Sequence, residues 1–108
     1  MPLVKEAAVK YAPVAQDLVL SEFGDLVTGL PEAEAVLANY ECNAMQIRTV
    51  VNELPSALES CIYVLEGELM DRFPDMGFDF HIIERQGRPL EEIVSLDLFS
   101  AYWLREGN

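Results

Sequence analysis

Apolar side chains recur at helical spacing in two stretches of the chain. Residues 14–30 carry one apolar stripe, and Pro31 ends the predicted helix. Residues 56–73 carry a stronger stripe that follows Ser56 and Glu59, a spacing typical of a helix capping box. The members of this second stripe are Leu58, Cys61, Ile62, Leu65, Leu69 and Phe73. The pattern predicts two amphipathic helices that each bury one face, with Cys61 in the core.

Three further stretches predict β-strands. Residues 34–41 and 45–51 are separated by a short turn in which Asn43 is suited to positive φ, so we expect an antiparallel hairpin. Residues 77–84 alternate between two faces and follow the second helix. That crossover predicts that strands 45–51 and 77–84 are parallel. The remaining elements are a turn at 85–89, a helical turn at 90–94 and an aromatic strand at 101–104.

The order of elements predicts an α+β fold. Both helical stripes should cover the same sheet face, which gives a two-layer sandwich with a mixed three- to four-stranded sheet and helices on one face. The helix-strand-strand-helix-strand order resembles a ferredoxin-like fold truncated by its first strand, and is similar to the small cytoplasmic domains of cation-diffusion transporters. We predict a single domain over 1–108. Its parts are an N-terminal arm or short helix (1–12), the core (13–84), and a C-terminal turn and short strand (85–108).

The sheet face away from the helices is open in this arrangement, and strand alternation assigns residues to it. The polar candidates on or next to this face are Asn39, Glu41, Gln46, Arg48, Asp79, His81 and Arg85. The apolar candidates are Leu37, Val50 and Ile83. Three interpretations stay open: a solvated sheet face, a surface for a partner or a second copy, and a catalytic or small-ligand site.

Asp79 and His81 are the best candidates for chemistry on that face. They lie two residues apart on one strand, which places their Cα atoms about 6.5–7 Å apart on the same side. A carboxylate can orient an imidazole as a base or metal ligand, and Glu41 or Cys42 is a candidate third ligand. The chain has one His and two Cys, a small supply for a zinc site. We therefore predict no metal and no cofactor, and keep a metal- or small-ligand-binding domain around Asp79 and His81 as the alternative function.

Composition narrows the classes of partner. Asp and Glu outnumber Lys and Arg 19 to 7, a net charge of −12, which argues against nucleic acid and anionic membranes as partners. The hydrophobic fraction of 51% is that of a folded chain, and no apolar run is long enough to span a membrane. The N-terminal residues lack a signal-peptide pattern, so we expect a cytoplasmic protein with reduced thiols. No residue lies in a recognisable catalytic motif.

The acidic residues of the helices lie off the apolar stripes. On the second helix they include Glu59, Glu66 and Asp71, which predicts a solvated surface. Docking of a basic protein partner is the alternative interpretation. Gly67, inside the same helix, is either a chance surface residue or the mark of a close approach to a neighbouring backbone.

The terminal strand carries two adjacent aromatic residues. Because consecutive side chains of a strand face opposite ways, only one of Tyr102 and Trp103 can meet the core. The other is a candidate interface residue, and an edge strand invites pairing with another chain. We therefore predict a small intracellular interaction or regulatory module that forms a homodimer through the open face, the terminal strand or both. The candidate interface residues are Leu37, Val50, Ile83, Tyr102 and Trp103.

Overall fold

The computed structural model describes residues 12–94 and 101–105, with side chains from Gln16 onward. Most of the predicted N-terminal arm and part of the C-terminal segment (residues 1–11, 95–100 and 106–108) lie outside the described residues. In chain order the elements are α1 (Ala12–Val27), β1 (Ala33–Glu41), β2 (Ala44–Val51), α2 (Ser56–Arg72), β3 (Gly77–Glu84), the one-turn helix α3 (Leu90–Ile93) and β4 (Ala101–Leu104).

The four strands form one mixed, open sheet in the order β3-β2-β1-β4. Strand β1 pairs antiparallel with β2 and β4, and β2 pairs parallel with β3 as predicted. The hairpin loop is tighter than predicted: it contains only Cys42 and Asn43, with φ of 53° and 63°, and Glu41 already pairs with Ala44. The α+β fold class is confirmed, and the architecture is compatible with a two-layer sandwich.

The main core lies between the sheet and the two long helices. Phe23 and Val27 of α1 and Leu69 of α2 meet the strands there, and each is fully buried. Burial of a side chain of this size stabilises the fold by about 1.5–3 kcal/mol before entropy is subtracted. The strand residues in this cluster are Ala33, Val36, Ala38, Met45 and Ile47. The predicted inward faces of β1 and β2 are therefore correct.

The opposite sheet face is partly covered by α3. A tight turn precedes this helix, with Gln86 and Gly87 at positive φ and the Gly87 amide donating a hydrogen bond to Asn52 Oδ1 at 2.7 Å. After the turn the chain returns over the sheet, and three apolar residues around α3 pack against it. These are Leu90, Ile93 and Val94.

Helix α2 departs from the sequence prediction in three respects. Ser56 is the first helical residue and Pro55 is the N-cap, so the predicted capping box is absent. Cys61 is exposed, because it lies about 100° around the helix from the buried Ile62. Glu66 is buried, because it follows Ile62 by four residues and therefore lies on nearly the same side.

Strand β4 is fixed to the end of α1 by Trp103 and Arg105. Trp103 packs against the main core, whereas Tyr102 is 48% exposed. Trp103 is therefore the aromatic residue that faces inward. The Arg105 guanidinium lies 5.3 Å from the Trp103 ring centroid, within the range of a cation–π contact. It also donates hydrogen bonds to the carbonyls of Val27 and Leu30, which satisfies carbonyls at the C-terminal end of α1.

Candidate binding face and edge strand

The sheet face opposite α1 and α2 is divided into a polar half and an apolar half. We use "polar half" for the side chains of Asn39, Gln46, Arg48, Asp79 and His81. Strand register brings them together, since Asn39 pairs with Gln46, Gln46 with Asp79, and Arg48 with His81. Three strands therefore contribute to one continuous polar surface, as the sequence pattern predicted.

Arg48 holds the polar half together. Its guanidinium donates to Gln46 Oε1 at 2.8 Å and to the Asp79 carbonyl oxygen at 3.2 Å. The Asp79 carboxylate lies 3.7 Å away and completes an ion pair. The Arg48 side chain is 18% exposed and that of Asp79 is 45% exposed. Because Arg48 is the less accessible of the two, its role is to position Gln46 and Asp79.

Asp79 and His81 form the accessible part of the polar half. His81 Nε2 lies 3.1 Å from Asp79 Oδ1, and the two side chains are 58% and 45% exposed respectively. The pair can present a hydrogen-bond donor and an acceptor side by side to a molecule that approaches the sheet. Within residues 12–94 and 101–105, no third His, Cys, Asp or Glu joins them in a group that could hold a metal ion.

The other polar candidates lie apart from this pair. Arg85 makes a two-pronged ion pair with Glu34 of β1, with Nε–Oε1 and Nη2–Oε2 distances of 2.5 and 3.1 Å. The hydrogen bond to Glu34 raises the pKa of the Arg85 guanidinium above its already high ordinary value. Glu41 is exposed at the end of the hairpin. Arg85 therefore joins β1 to the end of β3, and Glu41 is solvated at the margin.

The apolar half of the same face is occupied by the chain itself. Leu37 and Val50 are 0% and 1% exposed beneath α3, and Ile83 packs beside them. Trp103 faces the helix layer instead. Of the five predicted interface residues, Tyr102 is the one that stands out from the open face with half its surface accessible. Burial of Leu37 and Val50 within the chain makes them core residues of a second, smaller cluster.

The edge strand β3 is incompletely covered and contains no fully buried residue. Among the described residues its one neighbouring strand is β2, along an unbroken parallel register from Gly77 to Glu84. The helix-facing row of β3 (Phe78, Phe80 and Ile82) is only partly buried, although Met45 and Ile47 beside it on β2 are fully buried. The helix layer therefore stops short of the sheet edge at β3.

The side of α2 that faces away from α1, over the edge of the sheet at β3, carries a row of partly exposed side chains; we call this side the flank of α2. Tyr63 and Met70 are 55% and 46% exposed, and Glu66 lies between them with 7% exposure. Burial raises the pKa of the Glu66 carboxyl to about 7. The Tyr63 hydroxyl donates to Glu59 Oε2 at 2.8 Å, and this hydrogen bond raises the pKa of Tyr63. Helical spacing in the sequence contains this stripe at positions 59, 63, 66 and 70, but its two glutamates make it look like a solvated row.

A shallow apolar groove lies on the other side of α2, where it meets the C-terminal end of α1. Its volume is about 300 Å³, and the exposed Cys61 is one of the residues that line it. The remaining lining residues are Leu26, Gly29, Leu30, Val64 and Leu65. The second thiol, Cys42, is exposed at the hairpin turn.

Comparisons with known proteins do not indicate a function for this chain. Neither protein-family models nor curated protein sequences match this chain. Across the described residues, no helix is long and apolar enough to cross a membrane.

Proposed function

We propose that this chain is a small interaction module that self-associates through edge strand β3. The observation that supports the proposal is the unpaired edge of an eight-residue strand in the described structure. An exposed strand edge presents a row of backbone donors and acceptors to which another strand can be added. The partly buried apolar row beside that edge supplies surface whose burial favours association.

Natural proteins protect their edge strands, and within the described residues β3 lacks several of the usual devices. Short edge strands, prolines, lysines and bulges are common ways to prevent pairing. Between Gly77 and Glu84 there is no proline or lysine, and the register with β2 contains no bulge. The opposite edge, β4, is only four residues long, which makes it the weaker template.

The oligomeric state tests this proposal directly. Sedimentation equilibrium of the full chain between 1 and 100 μM, in about 150 mM NaCl, should show a dimer with a dissociation constant in the micromolar range or tighter. The salt screens the repulsion that a net charge of −12 per copy creates. A single monomeric species at 100 μM would contradict the proposal.

A second candidate function uses Asp79 and His81 as a small-ligand or metal site. The specific observation behind it is their 3.1 Å contact on an accessible surface. Titration calorimetry with Zn²⁺ tests this alternative, with His81→Ala as the matched variant. Micromolar binding by the native chain and its loss in the variant would favour the alternative. The self-association proposal stays ahead because the described residues supply no third ligand.

A further inference from the structure

Edge strand β3 has a self-complementary order of side chains. From position 78 the sequence reads Phe-Asp-Phe-His-Ile, so Phe80 is the centre of a nearly symmetrical pattern. Asp79 and His81 flank the centre on the open face of the sheet, and Phe78 and Ile82 flank it on the helix face. A strand of this kind can pair with an antiparallel copy of itself.

We propose that two copies of the chain pair antiparallel through β3 about a two-fold axis at Phe80. This inference rests on the proposed self-association and adds the partner, the surface and the register. In this register Phe80 faces Phe80 of the second copy, and Phe78 faces Ile82. Asp79 of each copy faces His81 of the other, so the imidazole can donate a hydrogen bond to the opposing carboxylate.

The charges and the directions of the side chains favour this register over the other antiparallel registers with a two-fold axis. Directly opposed residues in an antiparallel pair point to the same face, so odd-numbered positions must oppose odd-numbered ones. Moving the axis to Asp79 places two carboxylates opposite each other. An axis at His81 would place two imidazoles opposite each other and Asp79 opposite the apolar Ile83. The register centred on Phe80 is the one that joins Asp79 to His81, and it pairs every residue from 77 to 83.

The flank of α2 gives a second reason for a second copy. Ile62 packs in the cluster that Ile82 joins, and Phe73 contacts Phe78 with ring centroids 6.5 Å apart, so α2 runs antiparallel along β3. Tyr63 and Met70 lie on the side of this helix away from α1. A two-fold axis at Phe80 brings the same flank of the second α2 towards them. The two helices would then cover the partly buried row of β3 from both sides.

A pair of charge variants tests both the surface and the register. The first variant is Asp79→Lys with His81→Lys, and the second is His81→Asp. Each alone opposes like charges twice across the axis, so we expect self-association to weaken at least tenfold. In an equimolar mixture the introduced lysines face aspartates at both positions, so the mixture should recover a dimer that contains one copy of each variant.

The controls separate failure of the register from failure of the proposed function. Asp17→Lys with Asp25→Lys changes the net charge by a similar amount at exposed positions of α1, which packs on the sheet mainly against β1 and β4, and should dimerise like the native chain. Circular dichroism and urea unfolding establish that each variant is folded. If the native chain dimerises and the variants self-associate equally well, the β3 register is wrong although self-association stands. If the native chain is monomeric, both proposals fail.

Discussion

The indole ring of Trp103 lies directly on Gly24 of helix α1. A Cβ atom built on Gly24 would come within 2.9 Å of Trp103 Cδ1, which is closer than such atoms approach in proteins. The absent side chain therefore makes room for the aromatic ring that joins β4 to the core. This contact explains a glycine inside a helix, where it otherwise costs about 0.5–1 kcal/mol relative to alanine.

Gly24→Ala should destabilise the chain even though alanine is the better helix former. The added methyl group forces the Trp103 ring to move, and overpacking of this kind costs about 1–3 kcal/mol. Urea unfolding followed by tryptophan fluorescence measures the loss and reports on the displaced ring. An unchanged or higher free energy of unfolding would show that the ring can shift without cost.

Gly67→Ala is the matched control. A Cβ atom at Gly67 would meet no atom within 4 Å in the monomer, so the substitution should stabilise the chain by about 0.5–1 kcal/mol through helix propensity alone. Opposite signs for the two glycines are the expected outcome. Destabilisation by Gly67→Ala would instead point to a close contact made by this side of α2.

Glu66 should make stability fall as pH rises. Its folded-state pKa of about 7 lies above the ordinary value of 4.5, so the folded chain binds more protons than the unfolded chain between these values. The free energy of unfolding therefore decreases from about pH 4.5 to pH 7 and levels off above that range. We expect Glu66→Gln to be close to native stability at pH 5 and more stable by roughly 1–3 kcal/mol at pH 8.

The measurement is urea unfolding of both proteins at low concentration from pH 5 to pH 8. Glu68→Gln is the control, because this exposed glutamate lies two residues away on the same helix. The gain in stability over the native chain between pH 5 and pH 8 should be larger for Glu66→Gln than for this control. An equal gain in the two variants would show that the Glu66 carboxyl is solvated.

Thr49→Val should stabilise the chain. Thr49 of β2 is fully buried, and its hydroxyl oxygen has no hydrogen-bond partner among the described residues. Removing an unsatisfied buried hydroxyl while keeping the shape of the side chain should gain about 1 kcal/mol. Thr28→Val is the comparison, since the Thr28 hydroxyl donates to the Gly24 carbonyl at 2.8 Å. A loss of stability in Thr49→Val would reveal a partner for the hydroxyl.

Sequence periodicity predicts the elements well because it reports which side of each element is apolar. It places Phe78 and Phe80 on the helix face and Asp79 with His81 on the other, as the structure has them. Periodicity does not indicate how far the helix layer extends over the sheet. The exposure of Cys61 and the partial cover of β3 depend on where the neighbouring helices lie, which is a property of the packed fold.

The role of Leu37 and Val50 illustrates the same limit. Strand alternation correctly places them on the face away from the long helices, but their burial comes from α3, more than thirty residues further along the chain. A four-residue helix has no periodicity from which its packing face can be inferred. Likewise, Gly67 attracts attention in the sequence, whereas the tightest approaches in the described structure are that of the Trp103 ring to Gly24 and that of the Asn43 carbonyl to Gly77.

Amide hydrogen exchange reports directly on whether β3 is the self-association surface. Exchange of peptides covering 77–84 should be compared at about 5 μM and 500 μM, for the native chain and for the double variant Asp79→Lys with His81→Lys. We predict several-fold slower exchange in β3 of the native chain at the higher concentration, because a hundredfold rise in concentration lowers the monomer fraction by at most about tenfold in a monomer–dimer equilibrium. The variant should show no such change. Concentration-dependent protection at β4 or along the α1–α2 groove, with β3 unchanged, would show that the chain associates through a surface other than β3.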